Sequence, residues 1–286
     1  MLHRVSEEKS PLEDNRRFEI TPAFLEQTML QYKSANYCFV SLDEVQWQLE
    51  SQKRDKRRFV CFTIDDGYND SYEQAYPVFK KHNCPFAIYV TTNSPDKQLF
   101  AWCYNLQDVL VNNERLEFES ELYDTSDLEK KNQVFKLIKN KFFSPDNKIT
   151  LKALKQLFRG NAGSTRYDSG LRWEQICKLA IDPLCTIGAH TVSHSYLSAL
   201  TDEEIRKELS DCKKIIEEKI NKPVKHFSYP YGEWNNKIVD LVMQYYATAT
   251  LAEEGLVRKG DPLGKLNRNI LSEEPLTFIK SLKRKL

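Results

Sequence analysis

No stretch of this 286-residue chain approaches the roughly 18 consecutive apolar residues of a membrane-spanning helix. Its opening, MLHRVSEEKS, lacks the apolar segment of a secretory signal. Together these absences make a cytoplasmic location the expectation. If LHRV is the end of a first strand, almost nothing precedes it, and the sequence leaves open whether the natural terminus lies further upstream. Charge of one sign is also missing: 42 Lys and Arg against 41 Asp and Glu leave a net charge of +1, which removes the electrostatic case for nucleic acid as a partner. The seven cysteines include no C-x-x-C pair and are odd in number, a pattern of reduced core thiols rather than a disulfide framework. Histidine is scarce as well, with only His3, His82, His190, His194 and His226, and none beyond position 226.

What is present is enough apolar material, 41% of residues, to bury a sizeable core. Short β-rich runs, YCFVS, RFVCFTI, PFAIYVT, CTIGAH, KHFSYP and ATATL, alternate with helical patterns. Capping signals mark helix starts at Thr21-Pro22, at Ser41 with Glu44, and at Thr201 with Glu204. This alternation predicts an α/β fold with a mostly parallel sheet, open or closed into a barrel, whose chemistry sits at the C-terminal ends of the strands. The rhythm breaks between about 93 and 172, where WCYNLQDVLVNN and LEKKNQVFKLIKNKFF read as helices. We expect a helical insertion within a single domain spanning 1–286.

Two stretches carry chemistry. In TIDDGYND, Asp65 and Asp66 follow an apolar strand, and two adjacent carboxylates there call for a cation or a shared proton; a solvated Asp-Gly turn is the plain alternative. In GAHTVSH, His190 and His194 stand four apart, which on a helical turn puts both imidazoles on one face as metal ligands. Two histidines and one carboxylate leave coordination positions for water and a substrate oxygen, and the second aspartate stays free to accept a proton. Non-haem Fe(II) oxygenases use the same ligand types, but on all-β scaffolds that do not match this alternation.

TIDDG, HTVSH and YPYG, in this order at the ends of successive strands, resemble the polysaccharide deacetylase family, also called carbohydrate esterase family 4 or the NodB homology domain. LRWEQICKLA, LSALTDEEIRKEL and GDPLGKLNRNI extend the resemblance over nearly the whole chain. The resemblance implies a distorted (β/α) barrel of about seven strands. It also implies a divalent metal, Zn2+ foremost, with Ni2+, Co2+ or Fe2+ as alternatives. By the same resemblance Asp65 is the catalytic base, Asp66, His190 and His194 hold the metal, and Tyr229, Pro230, Tyr231 and Gly232 form a groove wall where a backbone N–H near Tyr231 meets the oxyanion.

Two family features are missing: a late histidine to protonate the leaving amine, and the arginine of the RxPY segment, where Ser228 stands. His3, in LHRV, and Arg268, in LNRNI, resemble replacements carried by exopolysaccharide-modifying members. Arg268 is expected to reach back across the barrel mouth to Asp65. Trp102, Tyr104 and Trp234 are candidate sugar-stacking aromatics, Trp102 foremost. His82 and His226 read as structural. The basic tail FIKSLKRKL reads as a solvated helix end ahead of peripheral docking on the inner membrane surface. The expected activity is deacylation, most simply N-deacetylation, of an amino sugar in a surface polysaccharide or its lipid-linked precursor. The rival, motivated by the two missing residues, is a catalytically degenerate glycan-binding module.

Overall fold

A computed structural model of the chain describes residues 1–51, 57–93, 102–143, 152–154, 156–158 and 170–273. In chain order the strands are β1 (Arg4–Val5), β2 (Glu19–Ile20), β3 (Tyr37–Phe39), β4 (Arg58–Val60), β5 (Phe62–Ile64), β6 (Phe86–Val90), β7 (Arg115–Phe118), β8 (Glu121–Asp124), β9 (Cys185–Ala189), β10 (His226–Ser228) and β11 (Thr248–Thr250). Five of them form one parallel sheet in the order β11-β10-β9-β6-β5. Two single bridges prolong it at both edges, Leu2 beside Ile64 and Leu266 beside Thr250. Beyond them the ends meet: the Leu271 N–H donates to the Met1 carbonyl (2.8 Å) and the Met1 amine to the Asn269 carbonyl (2.8 Å). The result is a distorted (β/α) barrel, closed by the first residues against 266–271.

The apolar strand runs fall where their composition predicts, with one difference. RFVCFTI is two strands: 58–60 pair with β3, and 62–64 turn into the main sheet beside β6. Cys61, between them, packs with Leu42, Ala87 and Tyr89. Helices cover the outside of the sheet. Thr21 caps Pro22–Ser34 by accepting the Phe24 N–H. Thr201 and Glu204 form a reciprocal capping box on Asp202–Ile220, and Asn221 closes that helix at φ +51°. Ile205, Leu209, Cys212 and Ile216 of this helix join Ile64, Ile88, Phe79 and Phe227 in the barrel core. Gly188 pairs with Tyr89 across β9 and β6, and any Cβ there would stand 2.5 Å from the Tyr89 ring, so only glycine lets that ring cross the strand.

The interval after β6 holds the two expected helices, Trp102–Asn112 and Leu128–Phe142, and also an antiparallel hairpin, β7–β8, that the pattern reading did not foresee. Its turn uses Glu119 (φ +52°) and Ser120 (φ +64°). These elements bury a core of their own around Trp102, Leu106, Leu110, Phe118, Phe135 and Ile138. All seven cysteines are free, and among the described residues no helix is long and apolar enough to cross a membrane. The tail FIKSLKRKL lies outside the described residues.

Candidate active site

Asp65 and Asp66 leave the end of β5 in opposite directions because the backbone reverses there. Asp66 (φ +73°) and Gly67 (φ +74°) are both left-handed, and this tight turn after an extended strand sends neighbouring side chains to different partners. Asp66 Oδ1 lies 3.3 Å from His190 Nε2 and 3.2 Å from His194 Nε2, and the two Nε2 atoms are 3.2 Å apart. His190 Nδ1 donates to the Ser228 carbonyl at 2.7 Å, which leaves its Nε2 lone pair facing Asp66 and His194. A tetrahedral cation with bonds of about 2.0–2.1 Å separates its ligand atoms by about 3.3 Å, so this donor set fits a small divalent ion. Among the described residues it is the one group of three or more His, Cys, Asp or Glu with ligand atoms so gathered. Burial opposes charge on Asp66, but the two histidines that face it hold its carboxyl well below the usual carboxylate range.

The His190–His194 spacing works, though not through a helix. His190 closes β9, and the four residues after it form a loop in which Thr191 (φ +65°) and His194 (φ +55°) are both left-handed. That loop, not a helical face, turns His194 back onto His190. The Thr191 hydroxyl accepts the His194 N–H at 2.9 Å.

Asp65 meets a different partner. Arg268 donates Nη1 to Oδ1 at 2.6 Å and Nη2 to Oδ2 at 2.7 Å, the contact expected of it. Every other guanidinium donor direction is also used: Nε on the Leu251 carbonyl, Nη1 on Thr63 Oγ1, and Nη2 on Ser228 Oγ. The Ser228 hydroxyl in turn donates to Asp65 Oδ2 at 3.2 Å. Burial by itself would raise the Asp65 pKa, but the Arg268 charge and hydrogen bonds outweigh it and hold the carboxyl at about 2. Arg268 arrives from the segment that closes the barrel, which explains how a residue 203 positions away in sequence reaches Asp65.

His3 follows Leu2, whose carbonyl accepts the Asp65 N–H at 3.0 Å, so the imidazole stands at the same mouth, edge-on to Phe18. Burial lowers its pKa against the pull of Asp66 and Asp65. Tyr231 (φ +59°) lies on the rim with its ring edge-on to His194 at 4.5 Å. Gly232 (φ +70°) cannot be replaced, because a Cβ would fall 2.4 Å from that of Ala252.

Five residues expected at the groove have other surroundings in the structure. Tyr229 is 1% exposed, donates its hydroxyl to the Gly264 carbonyl, and faces the barrel core rather than the groove. Pro230 is buried beside it. Trp102 is 4% exposed, with its ring stacked on Phe142 (4.2 Å) and Phe135 (6.4 Å), so it has no face for a sugar. Tyr104 is buried as well, under the Arg4 guanidinium. Trp234 is half-buried, bonded to Glu253 and covered by Lys265. The aromatics that do reach the rim were not singled out: Tyr196 stacks on Tyr231 (4.3 Å), and Phe143 stands edge-on to both. His226 and His82 have structural partners, Thr248 and Glu26 respectively.

The model of the polysaccharide deacetylase family matches residues 52–249, more than half of the chain. Over 269 residues the chain is 19% identical to YxkH of Bacillus subtilis (strain 168), which carries the name of a polysaccharide deacetylase; the match covers 94% of this chain and 68% of that protein. Among solved structures, the Streptococcus pyogenes deacetylase PplD in complex with acetate superimposes with a TM-score of 0.65 at 18% identity, covering 96% of this chain and 91% of that one. A de-N-acetylase from Aggregatibacter actinomycetemcomitans gives a TM-score of 0.63 at 15% identity, covering 100% and 97%.

Proposed function

Because the chain belongs to the polysaccharide deacetylase family, we propose that it is a metal-dependent hydrolase that removes an N-acyl group, N-acetyl in the simplest case, from an amino sugar of a surface polysaccharide or its lipid-linked precursor. The observation that carries this reading is the division of labour between neighbouring carboxylates, Asp66 turned to two histidines and Asp65 to an arginine. A divalent cation held by Asp66, His190 and His194, with Zn2+ the best match to the donor set, would polarise the acyl carbonyl and acidify a water.

The protein's own groups would do the rest. Asp65, kept ionised by Arg268, takes the proton of the attacking water. The Gly232 N–H closes the turn on the Tyr229 carbonyl, so the backbone N–H of Tyr231 is the one that would meet the oxyanion at the rim. Expulsion of the amine needs a proton donor, and His3 is the remaining imidazole at the mouth. Arg268 answers the degenerate-module reading in part: the cation absent at position 228 reaches the base from the other end of the chain, with Ser228 bridging the pair. We read the whole of 1–286 as one domain, with the elements after β6 forming a wall beside the groove.

The test is acetate release from a panel of N-acetylated amino-sugar oligomers and lipid-linked sugars, with the protein loaded with Zn2+, Co2+ or Ni2+ in turn and then stripped by chelator. Release that disappears with the metal and returns with it is expected. Retention of glycans without release by any metal-loaded form would establish the binding module instead.

A further inference from the structure

The loop between the two histidines has a backbone that must be held. Thr191 is β-branched and completely buried, yet left-handed, and His194 is left-handed three residues later; such conformations are strained and persist only where the surroundings over-determine them. The loop's polar groups can be followed one by one. The carbonyls of Thr191 and Val192 accept from the Thr92 and Asn93 N–H groups at 3.2 and 3.0 Å, and the His194 N–H goes to Thr191 Oγ1. Two further N–H groups, of Val192 and Ser193, point together, as successive amides after a left-handed residue do, and form a concave receptor for an anion.

That receptor is filled by one side chain. Glu208 Oε2 accepts both N–H groups, from Val192 at 2.8 Å and Ser193 at 3.0 Å, while Oε1 accepts the Ser193 hydroxyl at 2.6 Å. Glu208 is carried by the helix Asp202–Ile220, whose neighbouring Ile205 and Leu209 are buried in the barrel core. The Leu209 carbonyl is pinned by the Tyr246 hydroxyl at 2.8 Å. A rigid element thus delivers a three-point acceptor to the strained loop.

We propose that Glu208 is a positioning residue for the cation site: it holds Thr191 and His194 left-handed, and so holds His194 Nε2 within reach of Asp66 and His190. This rests on the metal reading above. It acts through the geometry of its acceptors rather than its charge. Glutamine can do nearly the same, since its carbonyl oxygen can accept the two N–H groups while its amide donates to the Ser193 hydroxyl.

The experiment compares the full chain with Glu208→Ala and Glu208→Gln in two readouts. The first is Zn2+ affinity by competition with a chromogenic chelator, together with the visible spectrum of the Co2+ form. The second is hydrogen exchange of the Val192 and Ser193 amides in metal-free protein. Glu208→Ala should lose 10- to 100-fold in affinity, alter the Co2+ spectrum and deprotect both amides, while Glu208→Gln stays within about threefold of the parent. An alanine variant with parental affinity and spectrum would overturn the proposal while leaving the metal site standing. A glutamine variant as weak as alanine would overturn it in favour of charge. If the parent itself bound no Zn2+, the metal reading would fall, and this inference with it.

Discussion

The barrel and the insertion after β6 solve the same problem in opposite ways. The insertion buries an apolar cluster around Trp102, Phe135 and Ile138, with Lys130–Asp124 and Lys136–Glu13 in solvent and Lys139–Asp14 partly covered at its edge. The barrel has the larger apolar core but also takes charge inside: Asp65 and Arg268 are 4% and 7% exposed. It further concentrates left-handed non-glycine residues at one end, with Asp66, Thr191, His194 and Tyr231 all around the mouth. Burial of charge and strained backbone both cost stability, and their coincidence at the strands' C-terminal ends marks where chemistry is expected. The insertion shows what the same chain does where it only has to pack.

Breaking the ligand set should have the largest effect. His190→Ala or His194→Ala removes one of the three proposed ligands, and metal analysis after dialysis is expected to find the ion gone and acetate release at background; full occupancy in both variants would refute the assignment. Asp65→Asn keeps the shape but not the base, so retained metal with activity lower by about 10² to 10⁴ is expected. If Asp66→Asn instead kept the metal while Asp65→Asn lost it, the two carboxylates would have exchanged roles.

Arg268→Met sharpens the comparison, because it strands Asp65 inside the barrel. A buried charge left without its partner destabilises by about 3–5 kcal/mol, to be read from denaturant unfolding, with the metal still bound in the folded fraction. Phe135→Ala in the insertion should cost a similar 3–5 kcal/mol through the cavity it leaves, yet leave metal affinity unchanged. A loss of metal affinity in that variant would show that the two regions are not independent.

The smallest effect concerns pH. His226 is buried with Nδ1 on Thr248 Oγ1 and Nε2 3.5 Å from Asp43 Oδ1, beside Lys225, and burial lowers its pKa below the ordinary histidine value. Below about pH 6.5 the unfolded chain takes up a proton that the folded chain does not. Stability contributed by neutral His226 is therefore lost as pH falls through the unfolded value toward the lowered folded one. Chemical denaturation at pH 7.5 and 5.5 should show a shallower pH dependence for His226→Asn than for the parent; equal slopes would remove His226 as the cause.

How much of this could be read from residues alone follows from which interactions are local. The apolar runs, the Thr21 and Thr201 caps and the carboxylate and histidine groups announce themselves within a few positions, and the helices at 102–112 and 128–142 follow from their periodicity. The hairpin at 115–124 was missed because its turn is Glu119-Ser120, without the glycine or asparagine that signals a left-handed turn, although Leu116 and Phe118 alternate as a strand should. RFVCFTI gave no sign of its division, since an apolar run does not say which strand it will pair with. The letter of an aromatic residue does not distinguish a core from a rim, so the burial of Tyr229 and Trp102 has no sign in the sequence. Tyr196, Phe143 and Glu208 depend on contacts between elements distant in the chain and had no local signal. Arg268 is legible only through the family resemblance, since Ser228 stands where an arginine is expected and LNRNI supplies one late in the chain.

The closure of the barrel by residues 266–271 against Met1 and Leu2 gives the molecule an order in time. A chain made from its N-terminus presents Asp65, Asp66 and both histidines long before Arg268 is available, and during that interval Asp65 has no cation to balance it in the interior. The segment 266–271 delivers the ring's fastening and the counter-charge of Asp65 in one step. On the proposed function, hydrolysis should therefore report completed synthesis and closure together: release of a shortened chain ending before position 268 would yield a species that is both open at the seam and silent.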